Sequence, residues 1–319
     1  MLNRSRALLA SLLVLVAGVL SACASGATGQ EAGQDAAAQP SAASGEGKPL
    51  VLATFTVLAD MAQVVGGEHV QVESLTKAGA EIHGYEPTPS DVRKAADADL
   101  ILANGLNLEA WLEQFVQDAA APAITVTEGI TPLSIVEGEG EGYPNPHAWM
   151  SPVAAQTYVD NIASALADLD PAHAAAYRAN AEAYKQELTT LHTELTGALS
   201  TLPKSQRLLV TCEGAFSYLA ADAGLDEAYL WAVNSDGETG ARRMMELSDR
   251  VASSAVPAVF CESTVPSRTM EQIATDTGAH YAGALYVDSL SGADGPVPTY
   301  LDLLRYDIAL ISDHLGEER

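Results

Sequence analysis

Past residue 48 the chain alternates short apolar runs with stretches in which apolar positions recur every three or four residues. "PLVLATFT" (49–56) reads as a strand, "VLADMAQVV" (57–65) as a helix ended by Gly66 and Gly67, and "VQVESLT" (70–76) as a second strand. Thr88-Pro89-Ser90-Asp91 offers an N-cap, a proline at the first helical position and an acid at the third. "DLILANG" (99–105), a helix over "NLEAWLEQFVQDAA" (107–120) and "AITVTEG" (123–129) continue the rhythm. Such a βαβα pattern predicts a parallel sheet with helices on its faces.

The alternation breaks between Ser151 and Leu202, where two helical segments follow one another without a strand. In the second, Tyr177, Tyr184, Leu188, Leu191, Leu195, Leu199 and Leu202 fall at helical spacing. About thirty residues at 1.5 Å each make a rod of roughly 45 Å, longer than one small domain needs. It reads as a rigid spine between two lobes. Strands return with "RLLVTCE" (207–213), "EAYLWAVN" (227–234), "AVFCES" (258–263) and "HYAGALYVD" (280–288). Helical stretches such as "RRMMELSDRVAS" and "SRTMEQIATDTG" separate them, and a terminal helix carries the stripe Leu301, Leu304, Ile308, Ile311 and Leu315. The expected fold is therefore α/β with two lobes, each a parallel sheet flanked by helices, joined by one long rigid helix. The boundaries are 49–170 for the first lobe, 171–202 for the interlobe helix and 203–319 for the second lobe with its packing helix.

The first 48 residues follow another pattern. Arg4 and Arg6 precede an apolar core from Ala7 to Val19, and Leu20-Ser21-Ala22-Cys23 closes it. That run is too short to span a bilayer comfortably and ends in small residues, so residues 1–23 read as a secretory signal. A cysteine directly after Leu-Ser-Ala resembles the bacterial lipobox, in which Cys23 becomes the lipidated N-terminus. Residues 24–48, rich in Ala, Gly, Ser and Gln, form a flexible tether. It would hold a folded body roughly 25 to 30 Å from the membrane.

The formal net charge is −26, and loss of Arg4 and Arg6 with the signal takes it to −28. This acidity argues against nucleic acid and against adsorption to anionic lipid. With only Cys23, Cys212 and Cys261, the chain is no disulfide framework.

In open α/β sheets ligands bind beyond the carboxyl ends of the strands. Glu213 and Asp288 end two expected strands, His83 follows one, and His147 lies in the proline-braced "YPNPHAWMSP" before the spine. Two imidazoles and two carboxylates suit Mn²⁺, Fe²⁺ or Zn²⁺ and do not suit Cu(I) or Ca²⁺. Scattered spacings alone do not establish such a site. His69, His173, His192, His280 and His314 fall in helical or exposed contexts and read as structural, and Trp149 and Trp231 read as core.

Six motifs in one order carry more: "HGYEPTPSDV", "NPHAWMSP", "VTCEGAFSYLA", "YLWAVN", "VFCESTVPSRTM" and "LYVDSLSGADGPVPTYLDLL". In these the chain after the tether resembles the metal-binding lipoproteins of bacterial ABC importers for manganese, iron and zinc, the cluster A-I solute-binding family. The resemblance implies that His83, His147, Glu213 and Asp288 are the metal ligands, clamping one ion between the lobes. Pro146 and Pro152 would then fix the loop so that His147 loses little freedom on binding. It further implies an extracytoplasmic, lipid-anchored receptor with an ABC permease and its ATPase as partners; a monomer is expected, and four protein ligands would leave little room for substrate or a reactive water, which argues for binding over catalysis. Glu213 stands where zinc-dedicated members carry a third histidine, and "EGEGEGY" replaces their histidine-rich loop. The expected cargo is thus Mn²⁺, then Fe²⁺, with a zinc-dedicated receptor as the nearest rival. A secreted metalloenzyme, for which no HExxH motif is present, and a surface adhesin stand further off.

The chain departs from the family at Cys212 and Cys261, where serine is expected. The two form either a disulfide behind the site or a pair of small buried thiols. Glu262, next to Cys261, is expected to orient a histidine ligand or else to cap the following helix.

Overall fold

The computed structural model describes residues 47–116, 119–138, 140–233 and 240–317. The expected signal at 1–23 with Cys23, and nearly all of the tether, lie outside these residues. Among the described residues, four strands and three α-helices precede the two consecutive helices. They are β1 (Leu50–Ala53), α1 (Thr56–Gly66), β2 (Gln71–Ser74), α2 (Pro89–Asp97), β3 (Leu100–Ala103), α3 (Leu112–Val116) and β4 (Ala123–Thr125). The strands pair in parallel in the order β2-β1-β3-β4. Both faces of this sheet are covered, which is why "LVLA" and "LILA" are apolar without alternation. Val51 and Ala53 face the main core, while Leu52 and Ile101 face a smaller one under α2 and α3 with Ala95 and Phe115.

α1 stops at Gly66 because Gly67, at φ 57°, takes a conformation that other residues rarely adopt. α2 starts where the sequence says: Asp91 Oδ2 accepts hydrogen bonds from Thr88 N at 2.8 Å and Thr88 Oγ1 at 2.7 Å. The helix expected over 107–120 is reduced, among the described residues, to Leu112–Val116. Leu106 and Asn107 have φ of 53° and 66°, and Glu109 turns inward to accept from Thr54 Oγ1, Asn104 N and Gly105 N. A buried carboxylate serving three donors outweighs the helical pattern of the next residues.

Two consecutive helices follow, α4 (Ala155–Leu169) and α5 (Ala174–Ser200). α5 has 27 residues, hence a length of about 40 Å. Its buried face is Tyr177, Ala181, Tyr184, Leu188, Leu191, Leu195 and Leu199. It packs on α1 and α4 of the first half and on two helices of the second, so one apolar core runs through both halves.

The second half holds β5 (Leu208–Glu213), α6 (Ser217–Ala223), β6 (Asp226–Trp231), α7 (Ala241–Ser253), β7 (Ala258–Glu262), α8 (Arg268–Thr277), β8 (His280–Leu285) and α9 (Tyr300–Leu315). β5 pairs with β6 and β7 with β8, both in parallel, and β5 lies beside β7. The spatial order β6-β5-β7-β8 repeats the winding β2-β1-β3-β4 of the first half. α9 returns to α5 and α1, and its first backbone N–H, that of Tyr300, donates to Asp60 Oδ2 at 2.9 Å. An acid at a helix N-terminus is favourable for α9. Among the described residues no helix is long and apolar enough to cross a membrane.

Candidate metal centre

Where the two halves meet, four side chains from four separate segments converge. His83 comes from the β2–α2 loop, His147 from the segment before α4, Glu213 from the last position of β5 and Asp288 from three residues beyond β8. His83 Nε2 is 3.1 Å from His147 Nε2, 3.4 Å from Glu213 Oε1 and 3.9 Å from Asp288 Oδ1. His147 Nε2 is 3.5 Å from Asp288 Oδ1. Donors about 2.0 to 2.2 Å from a common ion stand roughly 3 to 4 Å from one another, so these separations fit one divalent cation. The set is dry: His147, Asp288 and Glu213 are buried, and the His83 side chain is 9% exposed.

The local chemistry aims these atoms at the centre. Asn145 Oδ1 accepts from the His147 backbone N–H at 3.1 Å and faces His147 Nδ1 at 2.9 Å. An amide oxygen only accepts, so Nδ1 carries the proton and Nε2 presents a lone pair to the site. Burial lowers the His147 pKa to about 4, aided by the neighbouring His83 and opposed by Asp288, so the imidazole is neutral at pH 7. Burial alone would raise the Asp288 carboxyl, but His147 and His83 more than offset it and hold it below the usual range. Among the described residues neither Asp288 oxygen has a hydrogen-bond donor, and Nδ1 of His83 is likewise unpartnered. A buried carboxylate with both oxygens bare is costly unless a cation or another donor arrives.

Among the described residues Glu262 meets the Glu213 backbone and no histidine. Its two carboxyl oxygens accept from the Glu213 backbone N–H at 3.2 and 3.1 Å, which fixes the end of β5. Burial, and then the charge of Glu213, push the Glu262 carboxyl well above the usual range. The residue that sets the histidine is Asn145, which sequence reasoning passed over. Its signal is the Asx turn that an Asn before a proline favours, in which the side-chain oxygen accepts from the backbone N–H two residues on, here that of His147. The Asn145 amide also donates to Gly214 O at 2.7 Å and Ser217 Oγ at 3.1 Å, joining the His147 loop to the residue after Glu213. Trp149 is fully buried, as a core residue should be, and its Nε1 donates to Val287 O at 3.1 Å. Cys212 and Cys261 lie with their sulfurs at bonding distance and their Cα atoms 4.7 Å apart, behind Glu213 and Glu262. Glu137, the first acid of the Glu-Gly run, is tied to Arg243 on α7 at 2.5 Å.

A family model described as "Zinc-uptake complex component A periplasmic", ZnuA, matches residues 51–314. The chain belongs to the ZnuA family. This membership makes it a metal-binding, substrate-binding component of an ABC transporter and not an enzyme. Among curated ZnuA-type relatives, the iron-binding protein YfeA of Yersinia pestis is 48% identical over 268 residues, 84% of this chain and 86% of its own. The manganese ABC transporter substrate-binding lipoprotein PsaA of Streptococcus anginosus is 31% identical over 320 residues, covering 97% and 99%. In three dimensions, the Mn-bound periplasmic metal-binding protein of Candidatus Liberibacter asiaticus superposes with a TM-score of 0.78 at 39% identity, covering 84% of this chain and all of its own. The ZnuA fold of parallel sheets, helices and one long helix is thus common to this chain and a solved metal-binding protein.

Proposed function

We propose that this ZnuA-family chain is an extracytoplasmic, lipid-anchored receptor that captures Mn²⁺, with Fe²⁺ next in preference, and delivers it to an ABC permease driven by its ATPase. The ligands are His83, His147, Glu213 and Asp288, and Cys23 carries the lipid. Residues 49–170 and 203–319 act as two lobes about the helix at 171–202. One observation carries the choice of metal: Asp288, buried, offers two oxygens free of hydrogen bonds among the described residues. With Glu213 beside it, the set can reach beyond four donors, which suits the harder Mn²⁺ and Fe²⁺ better than tetrahedral zinc. The names of the relatives, iron-binding and manganese, agree with this reading. The zinc reading rests on the family description and on the rise of intrinsic affinity toward zinc. Tight zinc binding in vitro therefore does not overturn a manganese role. The Cys212–Cys261 pair is a disulfide in this oxidising compartment; two free thiols besides Cys23, counted on denatured, unreduced protein, would refute that.

The deciding experiment strips the protein with chelator and titrates Mn²⁺, Fe²⁺ and Zn²⁺ into parent, His147→Ala and Glu213→Ala, alongside permease-dependent uptake in cells. Loss of Mn²⁺ binding in both variants with selective manganese or iron uptake supports the reading. Binding untouched by both substitutions sinks the site, and zinc-only uptake shifts the cargo to zinc.

A further inference from the structure

The histidines that the sequence scattered as structural are not all alike. His280 opens β8 and His314 sits in the last turn of α9, 34 residues on, yet His280 Nε2 and His314 Nδ1 are 3.0 Å apart. Glu317, just past the end of α9, sends one carboxylate oxygen to each: Oε1 is 3.2 Å from His314 Nδ1 and Oε2 is 3.7 Å from His280 Nε2. Gln206 Nε2 donates to Glu317 O at 3.0 Å and anchors the backbone that carries this carboxylate. These side chains are 42%, 29% and 52% exposed, so the group is open to solvent.

We infer that His280, His314 and Glu317 form a second, peripheral site for a borderline divalent transition ion, with Zn²⁺ as its natural probe. Two nitrogens about 2.0 to 2.1 Å from a tetrahedral ion lie roughly 3.3 Å apart, and a nitrogen and a carboxylate oxygen about 3.4 Å. The three observed separations fall close on either side of those values. The donors also converge at the negative end of the 16-residue helix α9, where a cation is favoured. Two imidazoles and a single carboxylate, completed by water, prefer Zn²⁺ or Cu²⁺ to Mn²⁺, which wants more oxygen.

The group lies at the amino end of β8, whereas Asp288 lies beyond its carboxyl end. The five residue steps of β8 alone put roughly 16 Å between its two ends, too far for one ion to bridge. The two sites are thus independent: the interlobe site takes one Mn²⁺, and the peripheral site takes zinc. A zinc count near two beside a manganese count near one is the signature.

The test uses the full-length chain in detergent, without a histidine tag, unreduced and chelator-stripped, dialysed against Zn²⁺ or Mn²⁺ and analysed for metal. The parent should hold two Zn²⁺ and one Mn²⁺. His280→Gln/His314→Gln should lose one Zn²⁺ and no Mn²⁺, and His83→Ala should keep the peripheral Zn²⁺. Glu317→Gln, on an exposed residue, should fold normally and weaken that zinc at least tenfold. A parent with one zinc, or a double variant that loses none, overturns the inference. Should the double variant melt early, Glu317→Gln decides, and unchanged zinc affinity there overturns it as well. Failure of the interlobe reading has a separate mark: His83→Ala would then keep its Mn²⁺.

Discussion

The two histidines of the interlobe centre make an instructive pair. His147 is fully buried, its Nδ1 meets Asn145, its ring stands 4.9 Å from that of Trp149, and Pro146 O accepts from Asn104 Nδ2 at 3.0 Å. His83 is reached from solvent, its Nδ1 has no partner among the described residues, and its turn is held by Glu81, which accepts from the backbone N–H groups of His83 and Gly84. One imidazole is part of the packed interior; the other is mounted on a short turn over it. A clamp that must both grip and release gains from this division. The fixed arm makes binding cheap in entropy, and the looser arm can move without disturbing the core.

The contrast can be broken most forcefully at His147. His147→Ala should weaken Mn²⁺ by more than a hundredfold and lower the stability of the metal-free protein by about 1 to 3 kcal/mol, because Asn145 loses a buried partner and the fully buried imidazole leaves a gap beside Trp149. His83→Ala should match it in affinity, by calorimetric titration, while costing clearly less stability in denaturant unfolding. Equal stability losses would erase the distinction between the arms.

Acid should act through the same buried arm. The unfolded chain takes up the His147 proton near pH 6.5, whereas the folded chain resists it until about 4. The unfolded state therefore binds more protons in this window, and metal-free stability should fall from pH 6.5 to 4 by about 3 kcal/mol, with no contribution from this group above 7. Urea unfolding at pH 7.5, 5.5 and 4.5 checks it, and His147→Gln should flatten the slope. Next in size, Asn145→Ala should cost roughly 10- to 100-fold in Mn²⁺ affinity, since it frees the His147 tautomer and unties the loop from Gly214. Smallest is Glu81→Gln, which keeps a neutral oxygen acceptor for one of the His83 and Gly84 backbone N–H groups and turns a donor toward the other, and should cost less than about tenfold, mainly as faster Mn²⁺ release in stopped flow.

Much of this was written in local pattern. Thr88 and Asp91 announced α2, the apolar stripe from Tyr177 to Leu199 announced α5, and strand ends pointed to Glu213 and Asp288. What escaped was set by contacts distant in sequence. Glu109 reads as an ordinary helix-surface acid until Thr54, 55 residues earlier, is brought against it. Glu262 sits near the ligands as its sequence suggested, but the neighbour it meets is decided by β5 lying beside β7. His280 and His314 become partners only because α9 folds back along β8.

Trp149 gives the molecule an optical voice. Its indole is wedged beside the His147 ring, and its N–H is tied to Val287, the residue before Asp288. The chain has three tryptophans, and this one spans a ligand from each half. Any ion seated between His147 and Asp288 alters the field on that ring, so the emission spectrum of the unlabelled protein reports occupancy directly, without dye or radioisotope.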